Sequence, residues 1–277
     1  MKRKYTYTTP RRTLLTGTQG LAMQQDSFWE ANRSTVALGE GVLLDLAKAP
    51  HVLIAGTPGS GKSCMMNAII CSLLAKNTPF SARLLLIDPK CTEFFSYRNH
   101  PLLWRPVVNE TDQAIKALSD AVDEMEKRFR IMARTEIRLW KGPKLYIFVD
   151  ELADLVLTGG QPVIKLLTRL AQKGRAAGVH LVLATQQPTV KVIPSIIKAN
   201  CPTRIALKTR TISDSRVILD HKGAEALHGC GDAILSDVTG NEYHFQGGFV
   251  SDEELEAFTH DHVYKPVKRG LFGFLFA

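Results

Sequence analysis

The run Gly56-Thr57-Pro58-Gly59-Ser60-Gly61-Lys62-Ser63 has the spacing G-x-x-x-x-G-K-S. Glycines at such spacing let a loop wrap with its backbone N–H groups pointing inward, which cradles an anion. The context fits. "HVLIAG" before it reads as a buried strand, and "CMMNAIICSLL" after it as an apolar helix whose N-terminus adds partial positive charge. On this reading Gly56, Thr57, Pro58, Gly59, Ser60, Gly61, Lys62, Ser63 and Cys64 contact a nucleotide. Lys62 reaches its terminal phosphates, and the Ser63 hydroxyl ligates Mg2+.

A second group of residues completes that chemistry. "LYIFVDE" delivers Asp150 to the carboxyl end of a strand, where open α/β sheets place their ligands. Asp150 is expected to hold the metal through water. Glu151, one residue on, is placed to activate a water for attack on the γ-phosphate. An acid directly after the metal aspartate points to hydrolysis. No guanine-reading N-K-x-D occurs, which favours ATP over GTP.

Parallel strands must present these residues. "HVLIAG", "RLLLID", "KLYIFVD", "VHLVLAT" and "TRIALK" are continuous apolar runs, as expected of strands covered on both faces. Between the second and third, Ile115, Leu118, Val122, Met125, Phe129 and Met132 recur at spacings of three and four and predict a packing helix. Thr111 is positioned to cap it. Asp123 with Lys127, Glu124 with Arg128 and Glu126 with Arg130 are acid-first pairs four apart on its wet side. "TGGQP" at 158–162 reads as a turn, with a mobile loop as the other reading.

The chain has 277 residues, with Lys+Arg of 35 against Asp+Glu of 27 and a net charge of +8. That balance favours an acidic partner such as nucleic acid. Its five scattered cysteines include no CxxC pair and suit a reducing cytoplasm. "HGC" (228–230) and "HDH" (260–262) lack further ligands at useful spacing, so no metal centre is assigned to them. No apolar run approaches the ~20 residues that span a bilayer.

Seven segments in order, "DLAKAPHVLIAGTPGSGKS", "LLLIDPK", "IFVDELADL", "RLAQKGRAAGVHLVLATQQP", "IKANCPTRIALK", "DSRVILD" and "GAEALHGCGDAIL", resemble the motor domain of FtsK/SpoIIIE family DNA translocases. The resemblance implies a RecA-like P-loop NTPase: a mostly parallel central sheet flanked by helices, expected to form a hexameric ring around duplex DNA. ATP and Mg2+ are the implied cofactors. Gln186 resembles the family's sensor amide, in the same subunit as Lys62 and Asp150. Arg175 resembles its arginine finger, which enters the neighbouring subunit's site. Gln187 stands where the family usually has arginine, and Ile212 where it commonly has lysine.

Translocation needs sequence-blind phosphate contacts. Lys191, Lys198, Arg204, Arg210 and Arg216 are the candidates; by resemblance, Lys198 and Arg216 fall where the family lines its pore. The chain divides into a basic N-terminal arm and lead-in segment (1–39), the motor (40–260) and an apolar tail (261–277). Lys2, Arg3, Lys4, Arg11 and Arg12 of the arm are candidates for phosphate contact or a solvated tail. Leu271, Phe272, Phe274, Leu275 and Phe276 of the tail are expected to dock on a subunit groove, or else on a partner protein or membrane surface. Neither the family's membrane anchor nor its winged-helix DNA reader is recognisable. The expectation is therefore a stripped-down cytoplasmic motor of the kind carried by a mobile element, plasmid or phage, translocating double-stranded DNA and recruited to a membrane or larger assembly. The alternatives are a coupling ATPase that feeds protein or single-stranded DNA to a secretion or conjugation channel, and a nucleotide-dependent DNA-binding or partitioning module.

Overall fold

The computed structural model describes residues 17–39 and 41–261. The basic arm through Arg12 and the apolar tail lie outside the described residues. Two short helices, α1 (Thr18–Gln24) and α2 (Asp26–Glu30), lead into an antiparallel hairpin of β1 (Thr35–Gly39) and β2 (Val42–Asp45). There follow β3 (His51–Ala55), α3 (Lys62–Lys76), β4 (Ala82–Ile87), α4 (Thr111–Arg134), β5 (Lys144–Val149), α5 (Leu152–Ala177) and β6 (Val179–Thr185). The remainder comprises α6 (Ser195–Asn200), β7 (Thr203–Leu207), α7 (Ile212–Leu219), β8 (Asp232–Ser236), β9 (Glu242–Gln246) and α8 (Asp252–Asp261).

The central sheet has seven strands in the order β4-β5-β6-β3-β7-β8-β9. The first five in that order are parallel, and β8 and β9 extend the sheet antiparallel. The five apolar runs read from the sequence are the five parallel strands. The antiparallel edge was not legible, because "EYHFQ" is mostly exposed and polar. Side-chain alternation divides the core between the two faces. Val52, Ile54, Tyr146 and Phe148 pack with α3, Phe28 and the hairpin. Leu53, Leu145, Ile147 and Leu181 pack with α4 and α5. Phe28, Val36 and Leu38 are fully buried, so the lead-in segment shares this core, and the hairpin crosses the boundary drawn at residue 39.

α4 carries the expected stripe: Leu118, Met125 and Met132 are buried, and Ile115, Val122 and Phe129 partly so. Its surface differs from expectation. Thr111 is already the first helical residue, Glu110 holds the cap position, and no side chain caps the helix. Of the three anticipated pairs only Glu124–Arg128 is present, at 2.9 Å. Glu126 instead meets Arg169 and Lys173 of α5, because tertiary packing puts those cations nearer than Arg130. Arg128 is buried and donates to the carbonyls of Ala177 and Gly178, satisfying the end of α5. "TGGQP" is neither a turn between elements nor a loop. It lies inside α5, which kinks where Gly160 takes φ 58° and ψ −142° ahead of Pro162. That backbone conformation is open only to glycine.

Candidate nucleotide site and the opposite edge of the sheet

All five parallel strands end at one edge, and the phosphate loop leaves β3 there. Its backbone is tied to both neighbouring strands: Gly56 N donates to Thr185 O at 3.3 Å, and Thr57 N to Lys208 O at 2.8 Å. Gly61 has φ 103°, and a Cβ there would lie 2.6 Å from Gly231 N. Only glycine lets the 228–231 segment close over the loop, which it does through Gly231 N to Ser60 O at 2.8 Å. Ser60 Oγ is buried without a hydrogen-bond partner, a polar atom held inside the loop.

Lys62 is buried in the first turn of α3. Its Nζ donates to the carbonyl of Asp150 at 2.8 Å and to Asp150 Oδ1 at 2.5 Å. Burial pushes the Asp150 carboxyl upward, opposed by Lys62 and reinforced by the negative charges of Glu93 and Asp88. The β4–β5 register puts Ile87 opposite Val149, so Asp88 and Asp150 extend from adjacent strand ends. Asp88 is itself buried, and its carboxylate accepts N–H donors from Lys90, Glu93 and Phe94, forming the turn that follows β4. The strand-end argument that selects Asp150 applies equally to Asp88, so this acid was available from "RLLLID".

Glu151 caps α5. Its Oε1 accepts from Ala153 N at 3.2 Å and Thr185 Oγ1 at 2.7 Å, and its Oε2 from Gln186 N at 3.0 Å. The acid is therefore joined to the Gln186 backbone across the β5–β6 edge. Thr185 is the hinge of that link, and sequence reasoning did not single it out because a strand-terminal threonine carries no distinctive spacing. Lys90 Nζ lies 3.4 Å from Asp154 and 4.0 Å from Glu151, adding a cation that also went unread.

Ser63 and Asp150 offer hard oxygen donors of the kind Mg2+ takes, a few from protein and the rest from phosphate and water. That donor chemistry fits the ion, while no cluster of three or more His, Cys, Asp or Glu able to hold a metal occurs among the described residues. His228 is held by a carboxylate. Its ring Nδ1 and backbone N both meet Asp232 Oδ2, and His244 meets the other oxygen, so "HGC" is a turn tied to β8. The "HDH" segment lies outside the described side chains.

Arg175 is elsewhere. It is exposed in the last turn of α5, and its carbonyl accepts from Gly178 N just before β6 begins. Gln186 follows the other end of β6. Seven extended residues separate the two edges by about 20 Å. Among the described residues Arg175 makes no ion pair.

The basic candidates are dispersed. Lys198 is folded onto Asp220, 2.7 Å from Oδ1, and onto the carbonyl of Arg216 at 3.2 Å. Arg204 meets the same aspartate from β7. Asp220 therefore brings Lys198, Arg204 and the Arg216 backbone together. Arg210 stands near the phosphate-loop end of β7, and Lys191 lies in the loop between β6 and α6. Lys191, Arg210 and Arg216 are exposed and make no ion pair among the described residues.

A glycine-rich loop joining a central strand to a helix, with acids at the ends of β4 and β5 in the same parallel sheet, defines a P-loop NTPase. The chain belongs to the FtsK/SpoIIIE family, whose profile matches residues 21–143 and 132–190. It is 44% identical over 263 residues to the DNA translocase FtsK 2 of Ralstonia nicotianae, covering 81% of this chain and 34% of that protein. It is 42% identical over 245 residues to the DNA translocase SpoIIIE of Bacillus subtilis, covering 81% and 31%. The chain thus spans about a third of the length of these curated relatives. A solved structure of the pCW3 conjugation coupling protein TcpA, a monomer form with ATPγS, superposes with a TM-score of 0.75 at 26% identity, covering 86% of this chain and 72% of that one. The cytoplasmic domain of the Thermomonospora curvata type VII secretion ATPase EccC shares the fold, with a TM-score of 0.69 at 20% identity, over 88% of this chain and 34% of that one. No helix among the described residues is long and apolar enough to cross a membrane.

Proposed function

We propose that this chain is an ATP-hydrolysing motor domain that moves double-stranded DNA through a ring of its own copies, six by analogy with the family. The observation that carries this reading is the separation of Arg175 from Lys62, Asp150 and Gln186 at opposite edges of one sheet. An exposed arginine about 20 Å from its own phosphate loop has no role at that loop. It suits the loop of a neighbour.

The site's own residues then act in a definite order. Incoming phosphates compete with Asp150 for the Lys62 ammonium. The amine moves to phosphate, and the carboxylate is released. Ser63 and Asp150 are the donors that would hold Mg2+, whose charge offsets that of the phosphates. Glu151 orients the attacking water and takes its proton. The bonds from the Thr185 hydroxyl and the Gln186 backbone N–H to Glu151 tie this acid to the strand end that carries the sensor residue, so a change at the phosphate is passed to the end of β6. From there the strand leads back to Arg175, and so to the next subunit. DNA phosphates are gripped by the exposed Lys191, Arg210 and Arg216, with Lys198 joining when it leaves Asp220. Reduced cysteines, with no disulfide among the five, suit the cytoplasm in which ATP and DNA meet.

A second reading is a coupling ATPase that feeds single-stranded DNA or protein to a channel. It is favoured by the likeness to TcpA over most of both chains. Stimulation of ATP hydrolysis separates the two. Duplex DNA as the stronger activator, with displacement of a triplex strand, supports the motor; single strands as the stronger activator support the coupling reading.

A further inference from the structure

A groove of about 430 Å3 lies between the β1–β2 hairpin and the β8–β9 pair. At one end its two sides meet. Gly39 bridges Gly247 there, and a Cβ at Gly39 would lie 2.0 Å from Gln246 O, so hairpin and β9 touch backbone to backbone. Leu44, Ala49 and Leu235 line the groove and belong to the buried core. Val238 and Tyr243 line it too, yet they are 45% and 46% exposed. β9 is the last strand of the sheet among the described residues, and four of its five residues are exposed. Apolar surface left in water beside an open sheet edge marks a place where another chain segment docks.

The charge on this lining is unbalanced. Asp45 and Asp237 contribute two carboxylates against the single ammonium of Lys48. Neither acid makes an ion pair among the described residues. Asp45 accepts from Ala47 N and Asn32 Nδ2, and Asp237 from the backbone N–H groups of Thr239 and Asn241. An apolar segment with cations beside it would complement the groove on both counts.

The chain carries such a segment. Residues 262–277 include Lys265, Lys268 and Arg269, no Asp or Glu, and then Leu271, Phe272, Phe274, Leu275 and Phe276. These residues lie outside the described ones, but chain geometry bounds their reach. From Gly247, five steps to Asp252 cover at most about 17 Å and the ten residues of α8 about 15 Å, so α8 ends within about 32 Å of the Gly39–Gly247 contact. The eleven steps from Asp261 to Phe272 extend to about 37 Å, enough to bring the apolar run into the groove.

We propose that the groove between the hairpin and the β8–β9 pair is the docking site of this chain's own Leu271–Phe276, with Lys265, Lys268 and Arg269 set against Asp45 and Asp237. Docking withdraws two apolar surfaces from water together and covers the β9 edge.

The test replaces Tyr243 of the full chain with the photo-crosslinker p-benzoylphenylalanine. A mixture of isotope-labelled and unlabelled copies is irradiated, and the cross-linked peptides are mapped by mass. Cross-links should join position 243 to residues 262–277 of the same copy. The same probe at Leu139, exposed between α4 and β5, should not capture the tail. Phe272→Ser, Phe274→Ser and Phe276→Ser together should cut the yield from position 243 to the tail by about tenfold. Absence of tail cross-links, capture of the N-terminal arm instead, capture of the tail of a differently labelled copy, or a yield that the serines leave unchanged would each overturn the proposal.

Discussion

Lys62 Nζ lies 2.5 Å from Asp150 Oδ1, so the cation proposed to bind phosphate and the carboxylate proposed to hold the metal neutralise each other. Both side chains are only 3% exposed. Neither charge could remain there alone without a desolvation cost of several kcal/mol. On the proposed reading the pair is a ground state that substrate phosphate must break, and breaking it frees Asp150.

This coupling is measurable in the free protein. Lys62→Met and Asp150→Asn should each lower stability, but the double variant should be more stable than their sum predicts by about 1–3 kcal/mol. Urea unfolding of the four proteins provides the cycle. Additive effects would show that the two residues do not sense each other.

The Thr185–Glu151 bond makes a second prediction. Thr185→Val keeps the shape of the side chain but removes the hydroxyl donor to Glu151. It should cost about 1 kcal/mol of stability. It should also lower kcat with little change in KM, because the acid and the Gln186 backbone lose their shared anchor. A rise in KM alone would place Thr185 in binding rather than in orienting Glu151.

Much of this site was legible before the fold. The phosphate loop, Asp150 and Glu151 carry spacing that chemistry constrains, and five continuous apolar runs gave the five parallel strands. What escaped notice depends on contacts distant in sequence. Gly231 closes over Gly61 across 170 residues, and nothing local in "HGCGD" signals it. The Lys198–Asp220 ion pair escaped notice for the same reason: the aspartate lies 22 residues on and only the fold brings it to the lysine. The kink at Gly160 was misread because Gly-Gly followed shortly by Pro resembles a turn, yet the apolar residues on either side continue one packed helix.

The dispersed cations lead to a graded prediction. Lys191→Ala, Arg210→Ala and Arg216→Ala should each reduce the salt dependence of DNA binding by about one unit of slope. Lys198→Ala should reduce it less, because its ammonium begins on Asp220. Asp220→Asn should strengthen DNA binding by releasing Lys198 and Arg204. Fluorescence anisotropy over a salt series reads these effects, and equal slopes in all variants would remove these residues from the DNA path.

Two buried histidines give the fold a pH dependence. Burial lowers His180 to about 3 and His51 to about 4. His51 Nδ1 accepts from Leu181 N at 3.1 Å, and the His180 ring stacks on Tyr146. Both rings are neutral when folded and take up protons near pH 6.5 when unfolded. Below that value the unfolded state binds more protons, so stability falls as pH drops from about 6.5 toward 4. His180→Phe, which keeps a ring against Tyr146, should flatten the slope of urea midpoint against pH over this window. An unchanged slope would mean that other groups set it.

The central claim is that each site is completed by a neighbour, and the most direct measurement mixes two inactive proteins. Arg175→Ala should cut turnover by about 10³-fold or more while ATP binding stays within about twofold of the parent. Lys62→Ala should bind no ATP. Mixed in equal amounts, they should recover ATP hydrolysis, because some interfaces then pair an intact phosphate loop with an intact Arg175. Full activity of Arg175→Ala alone, or no recovery in mixtures shown to form mixed assemblies, would contradict a site shared between subunits.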